Sequence, residues 1–176
     1  MAETKVITGK VRFSYAQVFT PRAMEEGSKE KYSVSILIPK KDKKTLAKIE
    51  EAVKAALEIG KPKFGGKIPA NRKNPLRDGD TEREDDENYE GCMFIGANSD
   101  RKPGLVDKDL DPILEREEFY SGCYGRASVN FYAFNTAGNK GIACGLNNLQ
   151  KLEDGERLSG GASAEDDFGD EGDELM

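Results

Sequence analysis

Histidine is absent from the 176-residue chain, and cysteine occurs only three times. The lack of histidine excludes Ser-His-Asp and Cys-His catalysis and removes the commonest protein ligand of metal ions. Cys92, Cys123 and Cys144 are far apart, and none belongs to a C-x-x-C pair. We therefore expect reduced, buried thiols, no structural zinc site and no cofactor, so any catalysis would depend on carboxylates, lysine or a hard metal.

Long apolar segments are also lacking. No stretch approaches the roughly 20 consecutive apolar residues that a membrane span requires. Residues 1–5 lack the apolar core of a secretory signal. The sequence therefore predicts a cytoplasmic protein without a membrane partner.

Aromatic residues make up 8% of the chain and apolar residues 36%, against 34% charged residues. This composition is polar for a fully globular chain, and the length suits one well-cored domain with appendages. After residue 152 the chain consists mainly of Gly, Ser, Ala, Asp and Glu. Such a segment cannot bury enough surface to offset the entropy cost of ordering. We predict one domain over 1–152 and a disordered acidic tail over 153–176.

Charge is unevenly distributed along the chain. Residues 162–176 contain seven acidic side chains and no basic one. Removing those seven charges from the net charge of −6 leaves +1 for residues 1–161. An acidic tail thus follows a neutral to slightly basic body, and such asymmetry suggests a protein that handles nucleic acid.

Two N-terminal segments have the composition of β-strands. Residues 4–15 are rich in β-branched and aromatic residues, with Gly9 at a predicted bulge or bend. Residues 31–38 alternate between apolar and polar side chains, and Pro39 ends that segment. A charged loop over 21–30 is predicted to connect the two strands.

Residues 42–59 change to helical spacing of apolar side chains, which predicts one amphipathic helix. Asp42 is its predicted N-cap, and Gly60 is its predicted C′ residue. A single helix between strands suits a small barrel that needs one end closed.

Residues 61–90 show no clear period and are rich in Gly, Pro, Asn and charged residues. This predicts a long loop that is either functional or disordered. Its first half is basic and its second half is acidic. Residues 92–97 then predict a short buried strand.

The strongest pattern covers residues 120–134. From Cys123 the odd positions carry small or apolar side chains, and the even positions carry aromatic, basic and polar ones. Because successive side chains of a strand point to opposite faces, the odd positions are predicted to face a core. A turn over 135–139 and a strand over 140–149 would complete a hairpin. The inventory of about five strands and one helix predicts a mainly β, OB-fold-like barrel.

The outward face of that strand offers what sequence-tolerant binding of single strands requires, namely aromatic platforms for bases and cations for phosphates. The predicted DNA-binding residues on this face are Tyr124, Arg126, Asn130, Tyr132 and Phe134. Basic residues elsewhere are predicted to extend the groove: Lys10, Arg12, Lys63, Lys67, Arg72, Lys73 and Arg77. The alternative is a solvated face whose aromatic rings pack beneath the helix.

The acidic tail has two interpretations. It either keeps the protein soluble, or it mimics nucleic acid and occupies the basic groove until DNA displaces it and frees it to bind partner proteins. Apolar anchors for such binding are Phe168 and the terminal pair Leu175 and Met176. The predicted partner-binding residues of the tail are Asp166, Asp167, Phe168, Asp170, Glu171, Asp173 and Glu174.

Two acidic clusters have the spacing of metal sites. Asp107, Asp109 and Asp111 match the start of a calcium loop, but Pro112 stands where that loop needs glycine. The Asp-Gly-Asp sequence at 78–80 fits a tight turn better than a nuclease site. We therefore predict no metal site and no catalytic residue.

Several motifs spread over about residues 4–158 resemble, in the same order, the phage single-stranded-DNA-binding proteins that have an OB-fold and an acidic C-terminal tail. These motifs are 19–21 (FTP), 40–42 (KKD), 75–80 (PLRDGD), 119–124 (FYSGCY), 127–134 (ASVNFYAF), 138–142 (GNKGI) and 146–150 (LNNLQ). The tail departs from the better-known arrangement, because Phe168 is internal and the chain ends on Met176.

This resemblance implies that the protein coats single-stranded DNA in the host cytoplasm during phage DNA replication, recombination and repair, without catalysis. It also implies that replication or recombination proteins bind through the tail, and it leaves open whether the protein forms a homodimer.

Two other hypotheses remain at the level of sequence. One is a phage structural or interaction protein whose barrel binds another protein. The other is a metal-dependent nuclease that uses carboxylates such as Asp78, Asp80, Asp107 and Asp111.

Overall fold

The computed structural model describes residues 4–23, 27, 29–136 and 139–158. Most of the predicted tail, including its partner-binding residues 166–174, lies outside these residues. Disorder of the tail and a domain boundary after residue 152 therefore stay predictions.

Eight strands, two α-helices and two 3-10 turns make up the described part of the chain. The strands are β1 (Lys5–Ile7), β2 (Val11–Arg22), β3 (Lys31–Pro39), β4 (Arg77–Asp78), β5 (Cys92–Ser99), β6 (Gly104–Val106), β7 (Tyr124–Thr136) and β8 (Asn139–Glu153). The helices are α1 (Lys43–Ile59) and α2 (Gly79–Glu82), and the 3-10 turns are Lys61–Phe64 and Glu87–Tyr89. Within the described residues, neither helix has the length and apolar character to cross a membrane.

All eight strands belong to one sheet, and five of them close into a ring. The order around the ring is β2, β3, β5, β8 and β7, with β7 pairing back to β2. Neighbours are antiparallel except for β5 and β8, which are parallel. The short strands β1, β4 and β6 pair with β7, β5 and β8 respectively. This closed ring confirms the mainly β, OB-fold-like architecture predicted from the sequence.

The ring encloses the main hydrophobic core. On β3 the inward side chains Val34, Ile36 and Ile38 are buried, and on β7 the odd positions from Gly125 to Ala133 are buried. The alternation predicted for both strands is therefore confirmed. Full burial of one such aliphatic or aromatic side chain contributes about 1.5–3 kcal/mol.

The single strand predicted over 4–15 is wrong, because it consists of β1 and β2. The chain bends at Gly9, as expected, and passes against the start of α1. The Gly9 N–H donates to Thr45 Oγ1 at 3.0 Å, and a Cβ at Gly9 would lie 2.9 Å from an Asp42 carboxylate oxygen. β2 then continues to Arg22, into the predicted loop, because irregularities after Ser14 preserve its pairing with β3.

Asp42 caps α1 as predicted, because its Oδ1 accepts a hydrogen bond from the Thr45 N–H at 3.1 Å. Gly60 ends the helix as its C-cap, with a right-handed φ of −86°, so its predicted assignment as the C′ residue is wrong. Glycine is needed there for packing instead. A Cβ would lie 2.2 Å from the Cβ of Ala133, on the inward face of β7.

The predicted loop over 61–90 contains short ordered elements. After β4 pairs with β5, α2 and the second 3-10 turn lead the chain back to β5. Tyr89 is fully buried and packs with Leu37 and Phe94 into a small second core on the outside of the ring. Residues 77–91, here called the covering segment, thus cover part of the outer face of β3 and β5.

The C-terminal hairpin differs from its prediction at both ends. β7 begins at Tyr124 rather than at residue 120, because Gly122 adopts a left-handed φ of +116° just before it. The paired strands reach Thr136 and Asn139, so the connection is shorter than the predicted turn. The residues between them, 137–138, lie outside the described part.

Candidate nucleic-acid interface

The outward face of β7 is placed as predicted. Tyr132 is 40% exposed and Arg126 is exposed, while Tyr124, Asn130 and Phe134 are half-buried. α1 packs against the opposite, inward face of β7. The aromatic rings of the outward face therefore do not pack beneath the helix.

Two of these predicted residues are engaged by the N-terminal strand. Arg126 Nε donates to the Thr8 carbonyl oxygen at 2.9 Å, and Asn130 Oδ1 accepts from Thr4 Oγ1 at 2.8 Å. Both side chains thus hold β1 against β7, although the Arg126 side chain still reaches the surface.

Lys10, Arg12 and Tyr124 come together at one end of β7. Lys10 Nζ and Arg12 Cζ each lie 5.3 Å from the centroid of the Tyr124 ring. Lys10 also pairs with Glu153, and Arg12 Nη2 donates to the Glu156 carbonyl oxygen at 2.8 Å. These contacts make the cluster partly structural, because Lys10 pairs with the last residue of β8 and Arg12 holds the chain that follows it.

The basic first half of the 61–90 segment lies beside the other end of the β7–β8 hairpin. Lys63 Nζ donates to the Ala133 carbonyl oxygen at 3.2 Å, and the Lys73 N–H donates to the Lys140 carbonyl oxygen at 2.9 Å. The side chains of the remaining predicted cations of this loop are exposed; they are Lys67, Arg72 and Lys73. Arg77 is separated from this group, because it lies on β4 at the outer face of β5.

A groove that the sequence patterns did not predict runs over the outer face of β2, β3 and β5. It encloses about 530 Å³. Its floor contains small polar residues of β3 and β5, and its walls contain aromatic and basic side chains from β2 and from the covering segment. The residues that define it are Tyr15, Lys31, Ser35, Arg77, Arg83 and Gly96.

One wall of the groove is a stack of guanidinium groups on aromatic rings. Arg77 Cζ and Arg83 Cζ each lie 5.7 Å from the centroid of Phe94, and Arg83 lies equally far from Tyr89. Phe94 is only 5% exposed and Tyr89 is fully buried, so neither ring is free to bind a ligand. The exposed arginines therefore form the accessible surface of this wall, and the rings beneath support them.

Tyr15 forms the opposite wall and has an unusual backbone. Its φ is +48°, and it lies between Ser14 and Gln17, where the pairing of β2 with β3 shifts register. A left-handed φ is strained for a non-glycine residue and costs about 1–3 kcal/mol. The neighbouring Ala16 N–H donates to Ser121 Oγ at 3.0 Å, which helps to hold this conformation. As a result, the Tyr15 side chain is 39% exposed at the groove.

The groove and the outward face of β7 belong to one continuous surface. Asn98 of β5 pairs with Gly145 of β8, and Gly145 pairs with Asn130 of β7. A Cβ at Gly145 would lie 3.5 Å from the Tyr132 ring, so that ring stands directly beside this floor. Tyr15 and Tyr132 thus flank a shallow floor of small side chains that crosses β3, β5 and β8.

Two of the carboxylates considered for a nuclease, those of Asp78 and Asp80, form ion pairs with Lys40. Lys40 Nζ lies 2.8 Å from Asp78 Oδ1 and 2.6 Å from Asp80 Oδ2. The hydrogen bond with Lys40 lowers the pKa of both carboxyl groups below the ordinary value, and that with Asp78 is the main cause of the raised pKa of Lys40. Asp80 also accepts from the Gly91 N–H at 2.9 Å. This cluster therefore clamps both ends of the covering segment to the barrel.

The second acidic cluster is a closed turn. Asp107 Oδ1 accepts from the Asp109 N–H at 2.8 Å and from the Asp111 N–H at 3.0 Å. The three carboxylates approach within 4.8 Å of one another. The spacing of these aspartates is explained by the hydrogen bonds that close the turn.

The chain after β8 returns toward the groove. The Gly155 N–H donates to Tyr120 Oη at 3.1 Å, and the Leu158 N–H donates to the Ser121 carbonyl oxygen at 3.0 Å. Leu158 lines a second cavity together with Tyr15 and Arg83, both of which also line the groove. The acidic tail is therefore attached next to the groove.

Comparison with known proteins gives consistent matches. The family model described as "Enterobacter phage Enc34, ssDNA-binding protein" matches residues 4–176. Protein p50 of Acyrthosiphon pisum secondary endosymbiont phage 1 is 30% identical over 170 residues, which cover 91% of this chain and 89% of that protein.

Solved structures share the fold. The single-stranded DNA-binding protein of bacteriophage Enc34 in complex with ssDNA superposes with a TM-score of 0.79 at 24% identity, covering 89% of this chain and 90% of the other. Bacteriophage T7 gp2.5, also a single-stranded DNA-binding protein, gives a TM-score of 0.61 at 15% identity, covering 93% and 99%. The chain belongs to the family of the Enterobacter phage Enc34 ssDNA-binding protein.

Proposed function

We propose that this protein coats single-stranded DNA, without strong sequence preference, during phage DNA replication, recombination and repair. Membership of the Enc34 ssDNA-binding family supports this proposal, as does the likeness in fold to a relative solved with ssDNA. The family is one of binding proteins, so the nuclease hypothesis is set aside.

The observation that carries the proposal is the composition of the groove. Among the described residues that line it, three are basic and none is acidic; the basic ones are Lys31, Arg77 and Arg83. Cations beside exposed flat groups are the combination that binds the phosphates and bases of a single strand. A duplex keeps its bases stacked inside, so it cannot use the flat surfaces of the two arginines and Tyr15.

The continuous floor suggests a path for the strand. We propose that it passes from Tyr15 and the two arginines across β5 and β8 to Tyr132. The exposed Lys67, Arg72 and Lys73 lie near the hairpin of β7 and β8, where they can contact phosphates beyond the groove. Along this path, the residues of the groove bind one part of the strand, and the predicted DNA-binding residues of β7 bind the other part.

Weak sequence preference follows from the kinds of group that line this path. Every base has a flat face that stacks on tyrosine or guanidinium, and such stacking is worth about 1–3 kcal/mol per base. The groove offers few neutral polar side chains for reading base edges, namely Gln17, Ser33, Ser35 and Asn98. Affinity should therefore depend on strand length and salt more than on sequence.

We further propose that the acidic tail competes with DNA for this surface and recruits replication or recombination proteins when DNA displaces it. The support is its charge and its attachment point, because the seven acidic residues of 162–176 follow Leu158 at the edge of the groove. Action in the cytoplasm of the host completes the proposal.

The test is a fluorescence-anisotropy titration of labelled oligo-dT of about 30 nucleotides at several salt concentrations, with the matching duplex as competitor. We expect preference for the single strand and a negative salt slope. Failure of the full-length chain to bind single strands even at low salt would overturn the function and favour the interaction-protein hypothesis.

A chain that ends at Leu158 tests the tail separately. Tighter binding by this shorter chain would support competition by the tail. If both chains bind equally, the tail does not compete, and the proposed DNA-binding function stands unaffected.

A further inference from the structure

Gly96 is a glycine without a structural reason to be one. It lies in the middle of β5, and its φ is outside the left-handed region that favours glycine. The pairing of β5 with β3 runs from Ser99 to Cys92 without a register shift, so Gly96 is not at a bulge. A Cβ built at Gly96 would meet no atom within 4 Å. Neither backbone conformation nor packing therefore requires glycine.

Three other glycines, at the end of α1 and in β7 and β8, show the contrast. A Cβ at Gly60 would lie 2.2 Å from Ala133, one at Gly125 would lie 1.8 Å from the Gln150 carbonyl oxygen, and one at Gly141 would lie 2.5 Å from the Lys73 carbonyl oxygen. Each of these glycines allows a close approach between two parts of the chain. The absence of a side chain at Gly96 also leaves room for a close approach, but none of the described residues occupies that room.

That open space is the groove. Gly96 is exposed, and its neighbours in sequence, Ile95 and Ala97, face the core. The cross-strand partner of Gly96 is Ser35, which is also small. The floor is thus lowest and flattest at Gly96, between the arginines over Phe94 on one side and Asn98 on the other.

We propose that Gly96 is the seat of a nucleobase, which lies against the bare backbone of β5 because no side chain stands there. This inference rests on the proposed function and adds the position at which the strand approaches the sheet most closely. Glycine within a strand marks such close approaches by a ligand. An exposed strand position normally favours β-branched residues, so glycine here weakens the strand but leaves its backbone accessible.

The test replaces Gly96 with residues of increasing size and measures both stability and DNA binding. Gly96→Val should leave the thermal unfolding temperature unchanged or raise it, because valine suits a strand and meets no clash. The same variant should bind oligo-dT at least about tenfold more weakly, with Gly96→Ala intermediate. Asn147→Val is the matched control, since it places the same side chain on an exposed position of β8 that does not line the groove.

The outcomes separate this inference from the function on which it rests. Wild-type affinity in a folded Gly96→Val chain would overturn the nucleobase seat while leaving single-strand binding intact. An equal loss in Asn147→Val would also overturn it, because the effect would then not be specific to the floor. If Gly96→Val fails to fold, the structural premise of open space is wrong, and the smaller Gly96→Ala decides the binding question. Absence of binding by the wild-type chain would remove the function itself.

Discussion

Arg77 Cζ lies 5.7 Å from the centroid of the Phe94 ring, while Arg77 Nη2 lies 2.7 Å from Glu82 Oε1. The ring and the carboxylate fix the plane of the guanidinium at the edge of the groove. Arg83 takes a similar position on the same ring. The covering segment thus holds two flat cations over one ring at the edge of the groove.

Removing either arginine should weaken DNA binding without unfolding the protein. We expect Arg77→Ala and Arg83→Ala each to cost about 1–2 kcal/mol of binding free energy, through lost stacking and charge. Each should also reduce the salt slope by about 1, as expected for the loss of one phosphate contact. Anisotropy titrations over a salt series measure both quantities.

Two further variants serve as controls for the arginines. Arg101→Ala removes an exposed arginine that does not line the groove, so it should change binding little. Glu82→Gln keeps an oxygen that can accept from Arg77 but removes the negative charge that competes with phosphate, so it should strengthen binding. Equal losses in Arg101→Ala and Arg83→Ala would mean that only the total charge matters.

Tyr132→Ala should weaken binding by about 1–3 kcal/mol, the value of one stacked base. Because Tyr132 is 40% exposed, the variant should keep its fold, which circular dichroism would show. Tyr132→Phe preserves the flat ring and should bind like the wild type. Unchanged affinity in a folded Tyr132→Ala chain would exclude the outward face of β7 from the DNA path.

Local patterns were sufficient to predict much of the fold. The apolar alternation of β3 and β7 correctly identified the inward faces, because successive side chains of a strand point to opposite faces whichever strand it pairs with. The Asp42 cap was likewise readable, since it depends on residues three positions apart. Both signals are contained in a single segment of chain.

The groove could not be predicted in this way, because it depends on contacts between distant segments. Phe94 belongs to a strand that was predicted to be buried, yet it points away from the main core and is buried in the small outer cluster with Leu37 and Tyr89, beneath the arginines. Arg83 stands within an acidic stretch that gave no sign of a DNA contact. A polar and glycine-containing outward face on β3 and β5 was the available signal, through Ser33, Ser35 and Gly96.

Gly60→Ala should destabilise the domain, although alanine is normally the better helix residue. The backbone at Gly60 is right-handed and accepts alanine, but the new Cβ would lie 2.2 Å from that of Ala133. Forced overpacking of this kind costs about 1–3 kcal/mol of unfolding free energy. Urea unfolding measures the loss, and Gly96→Ala is the matched control that should show none. Equal stability of both variants would mean that α1 is not packed tightly against β7.

Lys40→Met should loosen the covering segment in a pH-dependent manner. The pKa of Asp78 and that of Asp80 are lowered from 3.8, so their stabilising effect is present above pH 3.8 and is lost as the pH falls through their folded-state values. The pKa of Lys40 is raised from 10.5, so its effect is present below pH 10.5 and is lost as the pH rises through its folded-state value. The difference between wild type and variant should therefore be constant from about pH 5 to 9 and shrink outside that window.

Hydrogen exchange and melting temperature measure this difference at two levels. Because all three groups are exposed, we expect a small change in melting temperature and a larger loss of amide protection confined to residues 77–91. Lys41→Met removes the neighbouring exposed lysine and should have no such effect. A variant that differs from wild type as much at pH 3 as at pH 7 would show that Lys40 does not act through the two aspartates. Since the covering segment carries Arg77 and Arg83, its loosening should also weaken DNA binding, which links the clamp to the groove.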